Sequence, residues 1–310
     1  MQFSVQLEGS VGLNWESWQK ITTAIEQMGY DGITCCDHFA TSPPVRSSLE
    51  VFTALTELAV RVPRIHIGTL VAPFSFRDPV MMARQSAAID LLSGGRMILG
   101  VGAGWNEYEH KMFGYPLGNL QERMDRFEEG LIVISQLMRG KAPVTFNGKY
   151  YQLHEAELSP RPAHPTRLLV GGGGPKRTLP LVARYADFWN FLGPLETFKE
   201  RSALLDDLLE KEGRNPGDVK RTVMVPVFCW RSQAEMERLF EYPKSRTPEE
   251  NLKTIQENMR GITGEPDAVI ERLQAYAAAG VDEIMVQWFS MEKFDGLQTI
   301  AEEVLPVFQH

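Results

Sequence analysis

Asp37 and His38 stand directly after the apolar run Gly32-Ile33-Thr34-Cys35-Cys36. A carboxylate and an imidazole in that place are costly to bury without partners. Neighbours can move an imidazole's proton affinity across neutrality, which suits proton transfer to or from a substrate. The competing reading is a loop-capping Asp37 and a His38 that packs. A second constellation is Gly102-Ala103-Gly104-Trp105-Asn106-Glu107-Tyr108, after the apolar run Met97–Val101. Its glycines strip side chains from a strand end, so a flat ligand can lie on the backbone beside Trp105 and Tyr108. Glu107 is the proton carrier next in line to His38. The third is Gly171-Gly172-Gly173-Gly174-Pro175-Lys176-Arg177. Consecutive free amides, a helix start at Pro175 and two cations converge there, the ingredients of a phosphate cradle. A flexible glycine loop is the plainer alternative. Neither GxGxxG nor GxxxxGK[ST] is present, so a Rossmann or P-loop reading fails.

All three constellations need strands to carry them. Strand patterns run over Gln2–Leu7, Gly32–His38, Ile65–Val71, Met97–Gly102, Arg167–Val170, Phe188–Phe191, Thr222–Phe228 and Glu283–Trp288. They alternate with helical patterns near Glu16–Met28, Leu49–Val62, Pro79–Leu92, Leu120–Arg139, Pro175–Tyr185, Pro194–Glu212, Pro266–Ala279 and Phe294–Phe308. Eight such units predict an α/β fold, a (β/α)8 TIM barrel, as one domain over residues 1–310. A doubly wound open sheet is the runner-up. Asp78-Pro79 predicts a helix cap, and Gly29, Ser93-Gly94-Gly95 and Gly280 predict helix stops at the barrel's N-terminal face. Asn147-Gly148 between β-prone residues predicts a hairpin inserted after strand four. The polar stretch Trp230–Thr263 predicts a second insertion after strand seven, and both are expected to shape access from the C-terminal face.

Composition narrows the function classes. The 310 residues carry a net charge of −8 spread along the chain, which argues against nucleic acid as a partner. No run of eighteen apolar residues suggests a membrane span, and the N-terminus reads as a strand, so a cytoplasmic protein is expected. Cys35, Cys36 and Cys229 are too few and ill spaced for a disulfide framework and fit buried thiols. The six histidines (38, 66, 110, 154, 164, 310) lack metal-ligand spacing, so no metal is expected.

Taken in order, Asp37-His38, Arg77-Asp78-Pro79, Leu92–Arg96 through Gly102–Trp105, and Gly171–Gly174 with Thr178–Asp187 resemble the luciferase-like monooxygenase superfamily over nearly the whole chain. The likeness is greatest to its coenzyme F420-dependent oxidoreductases. The resemblance implies a deazaflavin at the C-terminal mouth and a bulge in strand three at Thr69, Leu70 and Val71 that supports its ring, often with a non-prolyl cis peptide. It implies a lining from Ala103, Gly104 and Trp105, and a phosphate loop at Gly172–Gly174. His38 corresponds to a histidine beside the reactive carbon, and Asp37 to a neighbour that fixes the site. Trp105 stands where the family's glucose-6-phosphate dehydrogenases have a glutamate, which disfavours a sugar phosphate. Hydride transfer between F420 and a small organic substrate is the expected reaction. The alternative is an FMN-dependent monooxygenase using O2 and reduced flavin from a separate reductase. A homodimer is the expected assembly, and an F420 or flavin reductase a possible supplier of reduced cofactor.

Overall fold

The computed structural model describes residues 1–241 and 244–308; His310 falls outside them. Eight parallel strands close into a barrel: β1 Gln2–Leu7, β2 Gly32–Cys35, β3 His66–Thr69, β4 Met97–Gly102, β5 Arg167–Gly171, β6 Phe188–Phe191, β7 Lys220–Cys229 and β8 Glu283–Trp288. Closure is made by β8 pairing with β1 and by β6 pairing with β7. The predicted TIM barrel is the observed fold.

Strand alternation sorts the side chains. Phe3, Val5 and Leu7 of β1 join the apolar layer between barrel and helices, while Ser4 and Gln6 make polar contacts inside the barrel. Inside, Ile98, Leu169, Phe188 and Met285 form a separate cluster under Leu70, with Val71 packed against it. Eight helical segments surround the strands: α1 Trp15–Gln27, α2 Val51–Arg61, α3 Pro79–Ser93, α4 Leu120–Arg139, α5 Thr178–Tyr185, α6 Leu195–Lys211, α7 Pro266–Ala278 and the final segment, α8, residues 295–308. Helix α3 starts as expected, with the Asp78 carboxylate accepting from Met81 N–H and Pro79 in the first turn. It ends at Gly94 and Gly95, whose φ values of 71° and 88° suit glycine. That turn aims Arg96 at the carbonyls of Ser93, Ile65 and Ala59, tying neighbouring helix–strand joints at the N-terminal face.

Strand β3 carries an irregularity at its outer end. Gly68 pairs with Ile98, but Ala72 pairs with Val101, so one extra residue bulges from this side of the ladder. The Leu70–Val71 peptide within it is cis. The Thr69 hydroxyl plugs the gap, donating to Gly100 O at 2.7 Å and accepting from Gly100 N–H at 3.0 Å.

The two insertions differ from each other. After β7, helices Gln233–Leu239 and Pro248–Asn258 lead to a short strand, Ile262–Gly264, that pairs with the end of β7. The hairpin, Val144–Asn147 with Gln152–Ala156, follows α4 and not β4 itself, so it leaves from the N-terminal end of the barrel. The Glu129 carboxylate of α4 accepts from the amides of Lys149, Tyr150 and Tyr151 and holds the hairpin tip against that helix. The expectation that it springs from the C-terminal face is corrected: an Asn-Gly turn reports a hairpin, not the surface it lies on.

Candidate functional site

His38 lies just past β2, with its imidazole largely buried. Its Nδ1 is 2.8 Å from Glu109 Oε1, and the second oxygen of that carboxylate accepts from Phe39 N–H at 3.0 Å. Glu109 is buried on the short helix Glu107–Phe113, which Asn106 caps by accepting from Tyr108 N–H. Ser48 Oγ donates to His38 O at 2.7 Å, so both the backbone and the ring of His38 are fixed. Burial is the largest influence on the imidazole and works to lower its pKa. The Glu109 hydrogen bond and charge, helped by Glu8 and Asp37, outweigh it, and the pKa is raised. With Nδ1 turned to Glu109, Nε2 makes no hydrogen bond to the protein among the described residues.

Asp37 has a different task. Its carboxylate takes two hydrogen bonds from Arg77, Nε–Oδ2 at 2.7 Å and Nη2–Oδ1 at 2.6 Å. Arg77 also pairs with Glu50 at 2.9 Å and lies over the rings of Phe39, Phe52 and Phe76. Burial is the largest effect on Asp37 and its pKa is raised, with Arg77 working in the opposite sense. This planar pair fastens the β2 loop to the β3 loop. Asp37 acts on His38 only as a minor charge.

Glu107 does not reach His38. It points out to solvent at the start of the short helix, and Glu109, two residues on, holds the position expected of it. Glu8 was not anticipated either. It follows β1 and accepts from Gln287 Nε2 at 2.7 Å, and its charge reaches His38. The signal was present, because Glu8 continues the inward parity of Ser4 and Gln6.

The β4 mouth matches its glycines to specific neighbours. A Cβ on Gly102 would lie 2.6 Å from Val71 Cγ2, and one on Gly171 would lie 3.0 Å from Val71 Cγ1. Val71 therefore fills the mouth because two strand ends lack side chains. Thr69 is fully buried in its ladder contacts and Leu70 in the inner cluster; of the three bulge residues, Val71 alone is partly open. Gly104 has φ 85°, and its carbonyl accepts from Arg123 Nη1 at 3.1 Å. Ser75 Oγ, which a Cβ on Gly104 would meet at 2.1 Å, and Arg123 Nε are buried without hydrogen-bond partners among the described residues. Trp105 is 66% exposed and sets its ring edge-on to His38, 5.6 Å between centroids. Ala103 and Tyr108 are partly open beside it.

At the β5 end, Gly172 has φ 119° and its N–H is spent on Asn190 O at 3.0 Å. The next helix begins at Thr178 and not at Pro175; residues 175–177 form a turn before it. Arg177 is drawn to α4, pairing with Asp125 at 2.7 Å and Glu128 at 3.5 Å. Of the two cations expected at the glycine loop, Lys176 is the exposed one and Arg177 is committed elsewhere.

The family model described as luciferase-like monooxygenase matches residues 1–283. The chain is 27% identical to an F420-dependent glucose-6-phosphate dehydrogenase of Intrasporangium calvum, over 92% of each chain. Among solved structures, it is similar to the coenzyme F420-dependent tetrahydromethanopterin reductase of Methanopyrus kandleri, with a TM-score of 0.80, 19% identity and 99% coverage of both chains. It is similar in the same way to the monooxygenase RslO1 of Streptomyces bottropensis, with a TM-score of 0.83, 19% identity and full coverage of both.

Proposed function

The chain belongs to the luciferase-like monooxygenase family, and from that premise we propose that it is an oxidoreductase moving a hydride between coenzyme F420 and a small organic substrate. The observation that carries the reading is His38, fixed by Glu109 through Nδ1 at the barrel mouth, with Nε2 making no hydrogen bond to the protein among the described residues. The full-length likeness to a dehydrogenase named for F420 supports the choice of cofactor.

The residues present fit such a group. Ser75 Oγ and Arg123 Nε, buried without partners beside Gly104, are polar atoms that a ring edge can satisfy. Val71, Ala103, Gly104, Trp105 and Tyr108 would line the ring. Gly171–Gly174 with Lys176 would hold the phosphate. When bound, the deazaflavin supplies a carbon centre for two-electron hydride transfer. The protein's own part is acid–base. Glu109 favours the protonated form of His38 and orients its ring, and Nε2 would carry the proton that enters or leaves at the substrate. Asp37, through Arg77, holds the loop that presents it.

Three free, buried cysteines support a reducing compartment, the cytoplasm. No helix among the described residues is long and apolar enough to cross a membrane. Exposed Val60, Leu91 and Leu92 on the adjoining helices α2 and α3 supply apolar surface for the proposed homodimer, which sedimentation tests. A separate reductase is the proposed source of reduced cofactor.

The test of function is titration with F420 and with FMN, followed by fluorescence quenching. Saturable F420 binding with much weaker FMN binding is the expected outcome. Tight FMN binding, with oxygen-dependent turnover when a flavin reductase is added, overturns the proposal.

A further inference from the structure

We propose that Trp189 is a positioning residue for the glycine loop: its indole N–H draws the Gly172 carbonyl into the core and so turns the Gly173 amide outward, to meet an oxygen of the cofactor's phosphate. This rests on the reading of that loop as the phosphate site. Trp189 is fully buried in β6, and its ring stacks on Phe198 of α6, 5.5 Å between centroids and 9° from parallel. From that fixed ring, Nε1 donates to Gly172 O at 2.7 Å.

A peptide unit is planar, and in the trans form its C=O and N–H point in opposite directions. Gly172 O and Gly173 N–H belong to one such unit, which is trans. A carbonyl held toward the core therefore sends the Gly173 amide the other way. The neighbouring groups fix the same orientation. Gly172 N–H is spent on Asn190 O at 3.0 Å, and Gly174 O accepts from Leu179 N–H at 3.0 Å. Asn190 is braced in turn, its Nδ2 donating to Thr222 Oγ1 at 2.9 Å, and that hydroxyl donates to Trp189 O at 3.1 Å. The Phe191 ring closes the space behind the loop, since a Cβ on Gly173 would lie 2.6 Å from it and one on Gly193 2.7 Å. The amides of Gly173 and Gly174 make no backbone hydrogen bond among the described residues. Successive free amides whose carbonyls are turned away suit an anion.

The experiment replaces Trp189 with 3-benzothienylalanine, which keeps the shape and stacking of the indole and lacks its N–H. Trp189→Phe is the second variant, and thermal melts check the fold of both. Two ligands are titrated by fluorescence: coenzyme F420 and its deazaflavin riboside, which has no phosphate. The benzothienyl protein should bind F420 roughly tenfold more weakly and the riboside within about twofold of wild type. Trp189→Phe should lose the same preference for the phosphorylated ligand. A role in packing alone would weaken both ligands alike or neither. Amide NMR supplies a readout apart from the cofactor, because inorganic phosphate should shift the Gly173 signal in wild type and much less in the benzothienyl protein. Unchanged F420 affinity in that protein, equal losses for the two ligands, or a Gly173 signal that phosphate moves alike in both proteins or in neither overturns the proposal. If wild type binds neither deazaflavin, the F420 reading fails by itself. The phosphate titration then still decides whether the Gly173 amide needs the Trp189 N–H to meet an anion.

Discussion

Glu109 reaches His38 across seventy-one positions of sequence and sits 2.8 Å from its Nδ1, inside a site where burial works to lower the ring's pKa. Removing the charge while keeping the shape should therefore lower the imidazole's pKa. Glu109→Gln is expected to shift the His38 inflection of the pH–rate profile downward and to cut turnover by roughly ten- to a hundredfold at neutral pH, less than removing His38. NMR titration of the ring checks the shift without an assay. The sign for stability follows from the raised folded pKa. The pairing stabilises the fold below the unfolded histidine value of about 6.5, and this is lost as pH rises through the folded value. An unchanged inflection in Glu109→Gln would show the carboxylate to be packing only.

His38 itself should separate chemistry from binding. His38→Ala is expected to reduce turnover by roughly two to four orders of magnitude while F420 affinity stays within a few fold. His38→Gln, which hydrogen-bonds but cannot titrate across neutrality, should be nearly as impaired, and the pH inflection should vanish in both. Near-normal turnover in the two variants would make His38 a wall of the pocket and send the search for the proton to Glu8.

Local chemistry made much of this molecule legible. The bounds of β1, β4, β6 and β8 follow from short apolar or alternating runs, and the α3 cap and stop from Asp78-Pro79 and Gly94-Gly95. The site was legible where glycines and His38 mark strand ends. It was not legible where partners come from distant elements. Glu107 and Glu109 are two steps apart on one helix turn, and only the packing of that helix on the β2 loop decides which faces inward. Arg177 looked free because its partners, Asp125 and Glu128, are set by how α4 lies against α5. Glu8 was the exception, legible in principle from strand parity.

At the glycine loop, Gly173 should be sensitive for two reasons. A Cβ there would lie 2.6 Å from the Phe191 ring, and the added bulk would also block backbone approach to an anion. Gly173→Val is expected to weaken F420 binding by about 1 kcal/mol or more, measured by quenching, with the barrel still folded by circular dichroism. Lys176→Ala should weaken binding in a salt-dependent way, while Arg177→Ala, already paired with α4, should change affinity little. Undiminished affinity in a folded Gly173→Val protein would place the phosphate elsewhere.

The far end of the barrel holds a second buried charge network, and it predicts acid behaviour independent of catalysis. Glu283, fully buried at the start of β8, lies 2.9 Å from His66 Nε2, and Ser4 Oγ hydrogen-bonds both. Gly32 makes this possible, since a Cβ there would stand 2.2 Å from the His66 ring nitrogen. Burial is the largest influence on Glu283 and pushes its pKa up, but the His66 hydrogen bond and charge with Ser4 prevail, and the pKa is lowered. A carboxylate with a depressed folded pKa adds stability above its unfolded value, about 4.3, and that stability is lost as pH falls through the folded value. His66→Ala removes the partner of a buried charge and should cost roughly 3–5 kcal/mol at neutral pH. Glu283→Gln keeps the shape, and its loss should be smaller, about 1–3 kcal/mol. It should also flatten the fall of melting temperature on the acid side, because the group that must be protonated is gone. Thermal melts between pH 3 and pH 8 for wild type and both variants decide it. An unaltered acid slope in Glu283→Gln would assign the acid sensitivity to other carboxylates, while F420 affinity should be the same in all three proteins, because the proposed site lies at the opposite end of the strands.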